Sequence, residues 1–226
     1  MTNSYYRFTN KDDAKSFINN GIIYFNSLSY YKQYDGECDA IKDRDEGKII
    51  INPVNQNDVL LSISDGKTTI ISKDNFIIKE ISNSLVDFEN FFIFCLANKY
   101  NMDLYEQFHA DTCIEITDIN KFKSKISKIL PKEFNLYFED ITYYDINDKY
   151  QKILDIDKPL IFYKRIKYVE QSESRFYFYC PYKNKKGKAN YEIHLSDCNN
   201  VQYNVKLCSI RLELGNLSDI CNIKNI

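Results

Sequence analysis

Hydrophobic and polar positions along this chain alternate between two periods. Residues 4–9, "SYYRFT", form a short β-compatible run. The "NKDDAKSFINNG" stretch behind it carries a helix's punctuation: Asn10 as N-cap, Asp12 and Asp13 in the first turn and Gly21 as stop. "IIYF" then resumes a strand, so residues 4–25 read strand, helix, glycine, strand. Farther on, two β-compatible runs flank Asp65-Gly66 in "VLLSISDGKTTIIS", the strongest short hairpin signal in the chain. "FFIFCLA" at 91–97 predicts a buried strand, "MDLYEQFH" a short helix and "DTCIEIT" another strand. "DINKFKSKISKIL" predicts an amphipathic helix ended by Pro131.

The later half is richer in strand signals. "PLIFYKRIKYV", "SRFYFYC", "YEIHL" and "VQYNVKLCSIRLEL" carry aromatic and β-branched residues at strand density, with turn chemistry between them at "PYKNKKGKAN". There are no internal repeats and no long Pro/Gly/Ser linker. The expectation is a single α+β domain over residues 1–226, built on a strand-rich, largely antiparallel mixed sheet with a few short helices.

Composition narrows the function classes. A chain of 226 residues, 44% hydrophobic and 15% aromatic, can bury a sizeable core and is unlike a disordered protein. A net charge of -2 and a pI near 5.8 offer no global attraction to nucleic acid or anionic membrane, so such binding needs a local patch. Seven cysteines, with no CxxC pair, cannot all close into intrachain disulfides. No apolar h-region follows Met1, and no apolar run approaches the roughly 20 residues that span a bilayer. A reduced, cytoplasmic protein without membrane attachment is expected. Cys95 and Cys113 sit in strand-like runs and read as small buried thiols.

Several features invite chemistry. Arg7 lies inside the opening strand, where a guanidinium is costly to bury unless a carboxylate or phosphate satisfies it. "DGECDAIKDRDEG", residues 35–47, has acidic spacings that echo a calcium loop, but Ala40 stands where such a loop needs glycine, and a solvated loop bordering a groove is the simpler reading. His109 and His194 show no zinc-ligand spacing, and no metal site is expected. The GxSxG, Walker and Rossmann signatures are absent, which disfavours hydrolase-elbow and glycine-cradled phosphate chemistry. The basic-aromatic segment "YKRIKYVEQSESRFYFYCPYKNKKGK" could track phosphates and stack bases, or could be sheet strands with aromatics inward and charges outward.

Within that segment Glu170, Gln171 and Glu173 gather just before an aromatic strand. "YYRFTNKDDAKSFINNGIIYF" resembles the first strand, helix and second strand of the ADP-ribosyltransferase superfamily, in which a first-strand arginine or histidine helps hold NAD. Gln171-Ser172-Glu173 resembles that superfamily's Gln/Glu-x-Glu motif, and the two pieces stand in the family's order. The same N-terminal run and the late "ESR" carry a general likeness to uncharacterised bacterial families linked to toxin and phage-defence modules.

The resemblance implies NAD as substrate, Arg7 on its diphosphate, Glu173 as the carboxylate that stabilises oxocarbenium character, and Gln171 orienting an acceptor on protein or nucleic acid. A neutralising partner protein would fit a toxin. In place of the family's middle Ser-Thr-Ser, or of a tyrosine packing on nicotinamide, "FNSLSYY" offers Ser27, Ser29 and Tyr30. An extended backbone would put Gln171 and Glu173 on one face and Glu170 on the other.

Other readings stay open. Arg7 could pair with Glu173, or Glu173 with Arg175, for structure alone. The alternative function is a non-catalytic module binding nucleic acid or protein through a basic-aromatic sheet face. A metal-dependent nuclease fares worst, for want of a paired carboxylate–lysine motif.

Overall fold

The opening run folds as its spacing predicts. Strand β1 (Tyr5–Thr9) leads into helix α1 (Lys11–Asn20), where the Asn10 side chain accepts the Asp13 N–H at 2.8 Å. Gly21 closes the helix in left-handed geometry, φ 65°, and its N–H returns to the Phe17 carbonyl at 2.9 Å. Its missing side chain also matters tertiarily, since a Cβ there would lie 2.3 Å from the Gly215 carbonyl oxygen. The structure is a computed structural model and describes residues 4–34, 38, 46–51, 61–64, 67–70, 81–84, 90–132, 134–146, 159–180, 201–204 and 209–224.

Strand β2 (Ile22–Ser27) and helix α2 (Leu28–Gln33) follow, then the short strands β3 (Lys48–Ile51), β4 (Leu61–Ser64), β5 (Lys67–Ile70) and β6 (Ile81–Ser84). β4 pairs antiparallel with β5 across the expected hairpin, whose Asp65-Gly66 turn lies outside the described residues. Next come β7 (Phe91–Ala97), helix α3 (Asp103–Gln107), β8 (Thr112–Ile116) and helix α4 (Ile119–Ile129), the last capped by the Asp118 side chain on the Lys121 N–H at 2.9 Å. Strands β9 (Tyr137–Asp140), β10 (Thr142–Tyr144), β11 (Tyr163–Arg165), β12 (Glu173–Tyr179), β13 (Val201–Asn204), β14 (Ser209–Glu213) and β15 (Cys221–Lys224) complete the order. "YEIHL" at 191–195 lies outside the described residues.

Nine strands form one sheet whose pairings are all antiparallel, which is the strand-rich α+β architecture expected. β7 organises it. One edge of β7 pairs with β12 along its whole length, from Phe91↔Tyr179 to Ala97↔Glu173. The other edge is shared: β2 meets it at Phe92 and Ile93, and β1 meets it at Ala97. Between those contacts, at Phe94–Leu96, β1 and β2 part and the sheet forks.

Period-two alternation then divides the core. Phe92, Phe94 and Leu96 of β7, with Phe176 and Phe178 of β12, face α1 and α4 in the main apolar cluster. On the opposite face, Ile93 and Tyr177 join a second cluster, while Ala97 joins a third with Phe8, Leu104 and Tyr105. Cys95 packs against the second cluster, beside the fork.

One expectation needs correction. "PLIFYKRIKYV" is not a continuous strand: residues Leu160–Phe162 and Ile166–Gln171 are 3-10 turns flanking the three-residue β11. In the second turn Ile166 and Val169 are exposed at a spacing of three, which suits a 3-10 turn rather than a pleated strand.

Candidate active site

The forked face holds a cleft of about 260 Å³, close to the lower end of small-molecule sites at roughly 300–1,000 Å³. β1 contributes Arg7 to it. By register Arg7 opposes Ile114 of the main core, yet its guanidinium turns into the fork, donating to the Cys95 carbonyl at 2.9 Å and lying 5.1 Å from the Phe94 ring centroid. Among the described residues no carboxylate forms an ion pair with Arg7.

Opposite Arg7, β12 supplies the charged wall. Glu173 and Arg175 stand across from Ala97 and Cys95, so both point to the cleft face. The Glu173 carboxylate accepts from Arg175 Nε and, at 2.8 Å, from Lys164 Nζ. Lys164, on β11, also donates to Gln171 Oε1 at 2.8 Å. Arg175 forks onto both oxygens of Glu46 and reaches the Ile161 carbonyl at 2.7 Å. None of these five side chains belongs to a residue more than 7% exposed, so their charges act in a largely dry setting.

That setting determines ionisation. Burial pushes the Glu173 carboxyl upward, but the adjacent Arg175 and then Lys164 outweigh it and hold the group well below the usual carboxylate range. Burial disfavours the Arg175 cation, and Glu173 and Glu46 reverse this, raising it well above its ordinary value. Among the described lining residues three cations, Arg7, Lys164 and Arg175, meet two carboxylates, Glu46 and Glu173.

The remaining wall is aromatic. Tyr30 and Tyr31 of α2 line it as an edge-to-face pair with centroids 5.3 Å apart. Burial raises both phenols, Tyr31 well above the ordinary value, while Arg7 pulls each of them down. Cys95 is pushed up to about 12 by burial and then by Glu173, so its thiol stays protonated rather than nucleophilic. Among the described residues only His109 (φ 51°) and Ser172 (φ 43°) adopt left-handed geometry without being glycine. His109 lines the cleft, and Ser172 stands between the lining residues Gln171 and Glu173.

Four of the six residues nominated from sequence, Arg7, Tyr30, Gln171 and Glu173, therefore line one cleft. Ser27 and Ser29 do not line it. They are buried and share a hydrogen bond at 2.6 Å where α2 begins. The extended backbone expected for residues 170–173 is also corrected. Gln171 ends a 3-10 turn, Ser172 is left-handed, and Glu170 is exposed because of that turn rather than through strand alternation.

Sequence reading missed Lys164, Arg175 and Glu46 as site residues. The signal for the first two is the one applied to Arg7, a cation embedded in an apolar run. Nothing distinguished Glu46 from the other acids around it. Apart from Cys38, Glu46 and Gly47, the acidic stretch 35–47 lies outside the described residues, as does "PYKNKKGKAN". Among the described residues no group of three His, Cys, Asp or Glu side chains could hold a metal ion, and no helix is long and apolar enough to cross a membrane. Comparison with protein-family models, with curated proteins and with solved structures returns no match, so the cleft is read from its own geometry.

Proposed function

We propose that this protein is an NAD-dependent ADP-ribosyltransferase whose acceptor is a protein or nucleic acid. The observation that carries the reading is convergence: Arg7 and Glu173, far apart in sequence, line one cleft with Gln171 and Tyr30. Arg7 offers a planar pair of donors suited to a diphosphate. Tyr30 gives the nicotinamide a ring to lie against. Glu173, kept ionised and fixed by two cations, stabilises the positive charge that develops on the ribose as its bond to nicotinamide breaks, a charge mostly absent in the ground state. An ionised, ion-paired carboxylate suits electrostatic stabilisation better than proton abstraction.

A second reading has its own observation. Both Glu173 oxygens already have partners, as they would in an ion-pair network that only ties β11, β12 and the Glu46 segment together. The two readings separate on ligand binding. NAD at a hundredfold its dissociation constant should stabilise the folded protein by about 2.7 kcal/mol on the transferase reading, and should leave the melting temperature unchanged on the structural one.

The wider setting belongs to the same proposal. The five described cysteines, Cys38, Cys95, Cys113, Cys180 and Cys221, are unbridged, in keeping with a cytoplasmic protein. An enzyme that spends NAD or modifies host macromolecules suits a toxin or phage-defence effector, held in check by a neutralising partner.

A further inference from the structure

We infer that Lys164 is a positioning residue for the transfer step, and that it couples Gln171 to Glu173. This rests on the transferase reading of the cleft. The Gln171 amide oxygen and the Glu173 carboxylate are both acceptors, so those oxygens cannot hydrogen-bond each other, but a shared donor can link them. Lys164 Nζ does so, 2.8 Å from each. An ammonium can only donate, which sets the orientation of the Gln171 amide with its oxygen toward Lys164.

The geometry around the bridge is costly and specific. Lys164 is 7% exposed, sits 4.7 Å from the centroid of the Tyr168 ring, and projects from a strand of three residues whose register places it beside Tyr143. The Tyr143 hydroxyl accepts the Glu173 backbone N–H at 2.8 Å, so β10 and β11 fix the backbone and side chain of Glu173 respectively. The left-handed Ser172 places the two bridged residues on either side of one strained backbone unit. A compact ammonium can serve two acceptors with one atom. A guanidinium is larger and planar, and with one Glu173 oxygen already taken by Arg175 Nε it cannot place a single donor atom at the same point between the two acceptors.

That difference supplies the test. Lys164→Arg keeps the charge beside Glu173 but loses the one-atom bridge, which loosens Gln171. Label transfer to an acceptor should fall at least tenfold more than nicotinamide release without acceptor, a split that a merely structural role of Lys164 would not produce. Lys164→Met, checked for folding by circular dichroism, also removes a cation that lowers the Glu173 carboxyl, so the acid limb of its NAD turnover should move to higher pH. Lys164→Arg with hydrolysis and transfer both intact, or both lowered equally, overturns the role of Lys164 alone. Wild type with neither NAD binding nor turnover overturns the reading of the cleft, and the positioning role with it.

Discussion

Arg175→Met removes the cation on which the charged wall depends while keeping an unbranched apolar stem. Arg175 is 1% exposed and serves two carboxylates and a carbonyl, so its loss leaves Glu46 without its fork and Glu173 with Lys164 alone. Breaking a buried pair on one side costs about 3–5 kcal/mol because the surviving charge stays desolvated. At this chain length that is roughly 6–20 °C in melting temperature.

The loss should depend on pH. The Glu173 carboxyl lies below its ordinary value of 4.5 in the folded state, so the stability it contributes is fully present above that value and is lost as pH falls toward the folded one. Arg175 is the largest of the influences that lower it, so the variant's carboxyl rises and the contribution shrinks. Urea unfolding of both proteins at a series of pH values should show the widest gap above pH 4.5 and a narrowing gap below it. A loss under about 1 kcal/mol, or a gap unchanged into acid, would refute the view that Arg175 holds a buried ionised carboxylate.

Other outcomes follow from the same geometry. Arg7→Lys keeps the charge but loses the fork, so NAD affinity by calorimetry should fall about tenfold with the melting temperature little changed, and unaltered affinity would remove Arg7 from the site. Tyr177→Ala should cost about 3–5 kcal/mol, since its ring is buried between Tyr137 at 4.9 Å and Phe162 at 5.2 Å. Tyr179→Ala, at a position 37% exposed, should cost no more than about 1.5 kcal/mol, and equal losses by urea titration would contradict the burial difference. Gly21→Ala should destabilise by more than the roughly 1 kcal/mol of left-handed geometry alone, because the added methyl meets the Gly215 backbone; a neutral result would contradict that close approach.

Local signals carried much of the fold and only part of the site. Asn10 and Gly21 bracket α1 because caps are chemistry within a few residues, and "FFIFCLA" proclaims a central strand because both of its faces are apolar. Residues 160–171 misled because their β-branched and aromatic composition matches a strand, whereas the chain turns in 3-10 geometry on both sides of the three-residue β11. The fork was not legible, since two strands sharing one edge of β7 is a fact of long-range pairing. Arg7 and Glu173, nominated from sequence, both line the cleft. Their setting was only half seen: the Glu173–Arg175 pair was among the possibilities, but Lys164 looked like an ordinary surface cation. The burial of Glu46 beside Arg175 depends on a contact between residues 129 positions apart.

The most direct measurement is nicotinamide release from NAD by wild type, Glu173→Gln and Glu170→Gln, each shown to be folded and titrated with NAD by calorimetry. Glu173→Gln keeps the shape and removes the charge, so it should still bind NAD while its turnover falls by about a hundredfold to a thousandfold. Glu170, exposed on the solvent side of its turn, should tolerate the same change with full activity. Wild-type protein that neither binds NAD nor releases nicotinamide, or a Glu173→Gln variant as active as wild type, would contradict the claim that this cleft is a site of ADP-ribosyl transfer.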